Sequence, residues 1–320
     1  MQTLRLTIAV LALLAAAGAQ AQQNYPARPI RMIVPFPAGG QTDLVARIVA
    51  QRLGDAFKET VVVDNRPGGG GTIGADIALK ANPDGYTLLM ISVSYSTNAA
   101  LYKLPFDPLN DVSPISMLGE TGFVVTVNLA SPAKTTKELI AHARANPGKL
   151  NYASGGTGSS THLATELFNQ MTGVSTTHVP YKGTGQSLTD LIAGNIQISF
   201  FGVNQILPHI KANRVRGLAV TTEKRASALP DLPAVAETVS GYEAIQWFAV
   251  LAPKGLPKNL VARWNKEVNG VLRLPDVKER LTADGVEPAG GSAEQLRAAL
   301  QRDIAKWKKV VEAANIKVGS

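Results

Sequence analysis

Hydrophobic and polar positions follow a repeating rhythm along most of this chain. Short continuous apolar runs give way to stretches in which apolar residues recur every three or four positions. The strand-like runs are Ile30–Val34, Val61–Asp64, Tyr86–Ile91, Phe123–Val127, Leu150–Ala153, Thr176–Val179, Ile196–Phe200, Val215–Val220 and Trp247–Leu251. Between the first two, the segment Thr42–Phe57 places Leu44, Val45, Ile48, Val49, Leu53 and Phe57 on one helical stripe. Thr135–Ala145, Thr161–Met171 (stopped at Gly173) and Ser187–Ala193 (stopped at Gly194) read as helices too. Strand followed by helix, many times over, predicts an α/β protein with mainly parallel sheets.

The tail departs from that rhythm and is helix after helix. Pro257 fits the first turn of one, and Ser292-Ala293-Glu294-Gln295 forms a capping box for the last, which runs to about Ala314. The segment Ala226–Gly241, with Pro230 and Pro233, reads as a loop, and no tandem repeat emerges. Ser113–Val127 and Ala244–Pro253 read as an outward and a return crossing between two domains. The first domain is then discontinuous (22–122 plus 248–320), with the second at 123–247.

The beginning of the chain is of another kind. Arg5, an apolar run from Leu6 to Ala17, and Ala19-Gln20-Ala21 make the pattern of a secretory signal peptide over residues 1–21, cleaved before Gln22. The run falls short of the roughly 20 apolar residues that span a bilayer. The chain of 320 residues has no cysteine, which removes thiol catalysis, cysteine metal sites and disulfides, and is compatible with an oxidising compartment. The net charge is +8, or one unit less without Arg5, but the basic residues are scattered and aromatics make up only 6%. Nucleic-acid binding would need a basic face interleaved with aromatics, so the charge reads as a solvated surface that mildly favours anions.

Two glycine-rich turns carry the clearest chemistry. Pro35-Phe36-Pro37-Ala38-Gly39-Gly40-Gln41-Thr42-Asp43 and Ala153-Ser154-Gly155-Gly156-Thr157-Gly158-Ser159-Ser160-Thr161-His162 each follow a strand and lead into a helix. Glycine lets the backbone aim several N–H groups at one point, and the helix start behind adds partial positive charge, so each turn suits an anion. Ligands of open α/β sheets bind beyond the carboxyl ends of the strands, where both turns lie. Together they predict one small anion gripped from two sides. In the first turn, Ala38, Gly39 and Gly40 offer amides. Thr42 suits an N-cap and Asp43 either a favourable first-turn acid or a brace for the turn; spacing leaves both roles open. In the second, the hydroxyls of Ser154, Thr157, Ser159, Ser160 and Thr161 exceed what capping requires and suit a carboxylate, which only accepts hydrogen bonds. His162 stands in the first helical turn, where the dipole favours a neutral ring that orients the loop rather than one that ligates.

Other motifs say less. Asn65 to Gly74 contains G-x-G-x-x-G after a strand, but the next strand ends in Ser92-Val93-Ser94-Tyr95 without the acid a dinucleotide ribose needs. In Val179-Pro180-Tyr181-Lys182-Gly183, Lys182 offers a cation and Tyr181 a wall, or the segment is simply a turn with a solvated lysine. The four histidines lack metal-ligand spacing, and neither G-x-S-x-G nor a phosphate-binding G-K-[ST] loop occurs. No cofactor or metal is expected. A secreted serine hydrolase acting on a small carboxylic substrate through Ser159 or Ser160 with His162 remains an alternative, without a motif for its acid partner or oxyanion hole.

The blocks Val34-Pro35-Phe36-Pro37-Ala38-Gly39-Gly40 with Asp43 and Arg47, Asn65-Arg66-Pro67-Gly68, and Pro83-Asp84-Gly85-Tyr86-Thr87-Leu88 resemble the Bug/TctC family. So do Tyr152 to Ser159, His162, Val179 to Gly183, Lys224-Arg225, Leu229-Pro230, Leu232-Pro233, Ala252-Pro253 and Pro257. These are the extracytoplasmic solute receptors of tripartite tricarboxylate transporters. Two departures are minor: Gln197 stands where an acid is frequent, and Gly69 where alanine is common. The resemblance implies a two-domain periplasmic binding protein of type II, the Venus-flytrap fold, with a strand hinge, working as a monomer with membrane subunits or a sensor. It implies a ligand carboxylate held by Phe36, Ala38, Gly39 and Asp43 on one side and by Ser154, Gly155, Thr157, Gly158, Ser159 and Lys182 on the other. Far-end candidates Ser94, Tyr95, Thr97 and Phe201 carry no strong charge, which favours a dicarboxylate, aliphatic or aromatic, over a tricarboxylate.

Overall fold

The computed structural model describes residues 25–317. The segment read as a signal peptide, residues 1–21, lies outside the described residues.

Strand β1 (Ile30–Val34) lies between β2 (Val61–Asn65) and β3 (Thr87–Ser92), parallel to both. Leu88–Ile91 of β3 are buried without alternation, as befits a parallel strand covered on both faces. The sheet continues through two long strands, β9 (Ile245–Pro253) and β4 (Val112–Val127), which pair antiparallel. The short β10 (Glu287–Pro288) closes its rim on β4. Strand β4 then leaves the first sheet and enters a second. There it pairs with β7 (Ile198–Gly202) and β8 (Arg216–Val220), and parallel strands β5 (Asn151–Ser154) and β6 (Thr177–Pro180) follow beyond β7. Both crossings read from the sequence are therefore strands. The outward one is a single element of 16 residues despite Pro114 and Gly119, where two register shifts against β9 occur, while Gly122 stays in register opposite Ile245.

Helices α1 (Gln41–Phe57), α2 (Thr72–Leu79) and α3 (Ser94–Leu101) belong to the first sheet's connections. Next come α4 (Thr136–Ala145), α5 (Ser160–Thr172), α6 (Thr184–Ala193) and α7 (Val203–Lys211) in the second. The tail supplies α8 (Lys258–Val271), α9 (Pro275–Ala283) and α10 (Ala293–Ala313), the last opened by the expected Ser292–Gln295 capping box. Helix α1 starts one residue before Thr42, with Gly40 at its N-cap, so Thr42 does not cap. Leu44, expected on the buried stripe, is 39% exposed, and Ala46 and Ala50 complete the buried face instead. Helices α3 and α7 were not expected. The first is polar and weakly amphipathic, and the second carries Pro208 inside it.

Three apolar clusters hold the fold. One packs Ile30, Met32 and Val34 against α1 and Trp264 of α8. A second gathers Val124, Phe201, Val203 and Ile206 in the second sheet. The third runs behind the crossing strands from Ile33 and Ile91 to Tyr152, Phe200, Trp247 and Trp307. There the Trp247 indole N–H donates to Asp303 at 3.0 Å, tying the return crossing to α10.

Candidate functional site

Both glycine turns face one cleft of about 510 Å³. The first sheet contributes Phe36, Pro37, Gly40, Gln41 and Thr42, and the second contributes Gly155 to Ser160. The β3–α3 corner adds Ser92, Val93, Ser94, Thr97, Asn98 and Tyr102, while Gln246 on the return strand lies between the two sides. None of these residues is Asp, Glu, Lys, Arg or His.

The positive potential comes instead from backbone. In α1 hydrogen bonding begins with Leu44 N–H to the Gly40 carbonyl (3.0 Å), so the first-turn amides of Gln41, Thr42 and Asp43 have no intrahelical partner. Gly40 supplies no side-chain cap. In α5 the sequence begins with Leu163 N–H to the Ser159 carbonyl at 3.0 Å, leaving the Ser160 and Thr161 amides likewise. Helix α3 starts at the cleft wall, again without a side-chain cap. Each such start carries roughly half a positive charge. Three converge on one cavity, two of them from opposite sheets.

Each turn is braced from behind. Asp43 is only 1% exposed and does not line the cleft. Its carboxylate accepts from Gly39 N–H, Asn65 Nδ2 and Arg47 Nε, each at 2.9 Å, and Asn65 donates also to the Phe36 carbonyl. Burial opposes ionising Asp43, but the hydrogen bonds from Arg47, Gly39 and Asn65 outweigh it and hold its carboxyl below the ordinary range. Of the two roles the spacing left open, the geometry gives Asp43 that of a brace.

The second turn rests on two imidazoles. His162, 5% exposed, accepts the Gly158 N–H at Nδ1 (2.9 Å) and stacks on His178 with ring centroids 3.8 Å apart. Burial, with the neighbouring His178, pushes the His162 ring down to about 3, and burial alone pushes His178 to about 4, so both are neutral near pH 7. Tyr152, the register partner of His178 in the neighbouring strand, also lies against that ring with centroids 4.9 Å apart, and its hydroxyl donates to Glu166. Gly158 needs its freedom here, because it sits at φ +78° while its amide turns inward to His162. Ser159 caps α5 by accepting the His162 N–H at 3.3 Å.

Among the residues expected at the site, Phe36, Gly40, Ser94, Thr97, Gly155, Thr157, Gly158 and Ser159 line the cleft. Ala38 and Gly39 are exposed on the first turn without lining it. Ser154 is fully buried beneath the second turn, its hydroxyl 2.6 Å from His178 Nε2 and bonded to the Gly156 backbone. Tyr181 and Lys182 run beside that turn: Tyr181 N–H donates to the Ser154 carbonyl and Gly183 N–H to that of Gly155. The Tyr181 hydroxyl, however, bonds Asp190, and exposed Lys182 stands outside the lining. Phe201 is misplaced by the sequence reading, because it lies in the second sheet's core at 0% exposure. Tyr95 sits behind the wall, stacked on Phe106. For the hydrolase alternative, the His162 Nδ1 is taken by the Gly158 amide rather than by a serine hydroxyl.

Sequence reasoning missed Gln41, Gly70, Ser92, Asn98, Tyr102 and Gln246. Gln246 donates to the Gln41 side chain at 3.1 Å, and Asn98 to the Gly70 carbonyl at 2.8 Å. Gln41 and Gly70 stand inside glycine motifs, but their partners lie far along the chain and no local signal points to them.

Among the described residues, no helix is long and apolar enough to cross a membrane. The family model described as the tripartite tricarboxylate transporter family receptor matches residues 45–316. The chain is 38% identical over 301 residues to the protein BugT of Bordetella pertussis, covering 92% of each. It superposes on the Rhodopseudomonas palustris protein Rpa4515 with adipate at a TM-score of 0.79 and 37% identity, covering 92% of this chain and 99% of that one. With MatC from Rhodopseudomonas palustris, carrying bound malate, the TM-score is 0.74 at 28% identity, over 90% of this chain and 100% of that one.

Proposed function

The chain belongs to the tripartite tricarboxylate transporter receptor family, TctC, together with the Bug proteins, and from that premise we propose that it is a solute receptor that captures a small carboxylate between its two glycine turns. One observation carries the reading: the α1 and α5 starts, on opposite sheets, converge on one cleft with no charged side chain in its lining. A carboxylate there takes hydrogen bonds from first-turn amides and from hydroxyls such as Ser159, Ser160 and Thr157. Hydrogen bonds to a charged group contribute about 1.5–3 kcal/mol each. We expect a dissociation constant on the order of micromolar, about −8 kcal/mol. Adipate and malate in the related structures are both dicarboxylates, which supports the same class here.

In this reading the protein is exported to the periplasm with loss of residues 1–21 and works as a monomer. Residues 22–122 with 248–320 form one lobe and 123–247 the other, with β4 and β9 as the hinge. The ligand touches both lobes and so favours their closure. The closed form is recognised by the membrane subunits of a tripartite tricarboxylate-type transporter, or by a sensor.

The test is a thermal-shift screen of the purified protein across small carboxylates, followed by chromatography of the ligand after incubation. One acid should bind about one to one and return unchanged. Conversion of the acid to a product would favour the hydrolase alternative, with Ser159, Ser160 and His162 the first residues to substitute.

A further inference from the structure

The four-glycine turn Gly68–Gly71 is a sequence motif to which the carboxylate grip assigns no role. It backs a small recess that shares Phe36, Gly70, Ser92, Ser94 and Asn98 with the cleft and so lies directly against it. The recess measures about 10 Å³, close to the least that holds one water-sized group. Its apolar lining comes from Pro35, Phe36, Ala75, Ile91, Leu104 and Phe106. Of its polar neighbours, Asn98 is engaged with the Gly70 carbonyl and the Ser92 and Ser94 hydroxyls with each other, and an unfilled apolar space forfeits the dispersion contacts of its lining.

The walls are fixed without help from a ligand. Gly68, Gly69, Gly70 and Gly71 all take positive φ (131°, 55°, 64° and 102°), a backbone shape that side-chain-bearing residues resist. A Cβ on Gly71 would stand 3.1 Å from Cζ of Phe36, the ring that divides recess from cleft. Asn98 pins the turn to α3 through the Gly70 carbonyl at 2.8 Å. On the far side, Tyr95 stacks on Phe106 at 5.9 Å and donates to the Pro108 carbonyl at 3.0 Å.

We propose that this recess is a methyl-sized apolar socket in the cleft wall, and that the ligand is a carboxylate bearing a compact apolar branch or tip that fills it. The inference rests on the carboxylate reading above. Filling the socket with one methyl group tightens binding about fourfold, the equivalent of one buried methylene. The socket has room for about one water-sized group, too little for a carboxylate, so a charged end is not accepted there.

Titration calorimetry on matched acids tests this: succinate against methylsuccinate, glutarate against 3-methylglutarate, butyrate against 3-methylbutyrate. In at least one pair the methylated acid should bind about fourfold tighter. Ala75→Val, which fills the socket, should bring that ratio close to one. Phe106→Leu, which widens it from the opposite wall, should move the preference to the ethyl-branched homologue; it also tests the socket should the valine variant not fold. Equal binding of both members in every pair, or a ratio that survives in a folded Ala75→Val variant and does not move in Phe106→Leu, overturns the socket and leaves the carboxylate grip standing. Binding of none of the acids overturns the carboxylate reading, and the socket with it.

Discussion

Replacing Asp43 by alanine separates a brace from a ligand contact. Its side chain is 2% exposed and accepts three hydrogen bonds, from Gly39 N–H, Arg47 and Asn65. Hydrogen bonds to a charged group are worth about 1.5–3 kcal/mol each when one partner is deleted. Two of these donors recover part of that from water, since Gly39 is exposed and the Arg47 side chain is 50% exposed. The net loss should then be about 2–4 kcal/mol, lowering the melting temperature by roughly 3–7 °C. Asp43→Asn keeps the volume and one acceptor and should lose about half as much. Asp43 ionises below its ordinary value of 3.8, so its contribution is present above pH 3.8 and fades as pH falls through the folded value. The gap between wild type and Asp43→Ala should narrow correspondingly in acid. Thermal denaturation at neutral and acid pH measures both effects, and ligand titration follows the indirect weakening from a loosened turn. An Asp43→Ala protein as stable as wild type but unable to bind would refute the brace.

Three further outcomes follow from the same geometry. His162 and His178 are neutral in the fold but titrate near 6.5 when unfolded, so stability should fall below pH 6.5 by about 1.4 kcal/mol per pH unit for each, until about pH 4 for His178 and about pH 3 for His162; urea midpoints that stay flat between pH 7 and 5 would contradict this. Ser159→Ala removes a helix cap and should lose about 1 kcal/mol of stability, with weaker ligand binding by about 1–3 kcal/mol if the hydroxyl meets the carboxylate, and Gly158→Val should bind worse still because valine resists positive φ; unchanged affinity in Ser159→Ala would leave that residue a cap alone. Mass spectrometry of protein from an envelope fraction should find the mature N-terminus at or near Gln22, whereas intact Met1 in a cytosolic fraction would sink the export reading.

The strand–helix rhythm was legible wherever apolar residues repeat cleanly, as in β1, whose limits match the sequence reading, and in α1 to within a residue. It failed where backbone hydrogen bonding overrides composition. Helix α3 is built from Ser94-Tyr95-Ser96-Thr97-Asn98, residues of modest helix propensity held in place by the cleft wall and by α10 behind it. The two turns stood out because glycine and hydroxyl residues cluster locally at strand ends. The brace roles of Asp43 and His162 were weighed in the sequence but not decided there, since spacing does not say which way a side chain points. Gln246 and Gln41 lie 205 residues apart and meet only because the return crossing carries one to the other. Phe201 was drawn into the site as an aromatic at a strand end, but in β7 it pairs with Val124 of β4 and its ring is buried in the core of the second sheet.

The central claim is a grip on one carboxylate from both sides of the cleft, and a crystal structure with a bound acid identified by the screen tests it most directly. The account predicts one carboxylate group within hydrogen-bond distance, about 2.7–3.2 Å, of backbone N–H groups at Gly40–Asp43 and of donors at Thr157–Thr161 at once. A ligand whose carboxylate meets only one of the two turns, or is held by a side-chain cation instead, would contradict it.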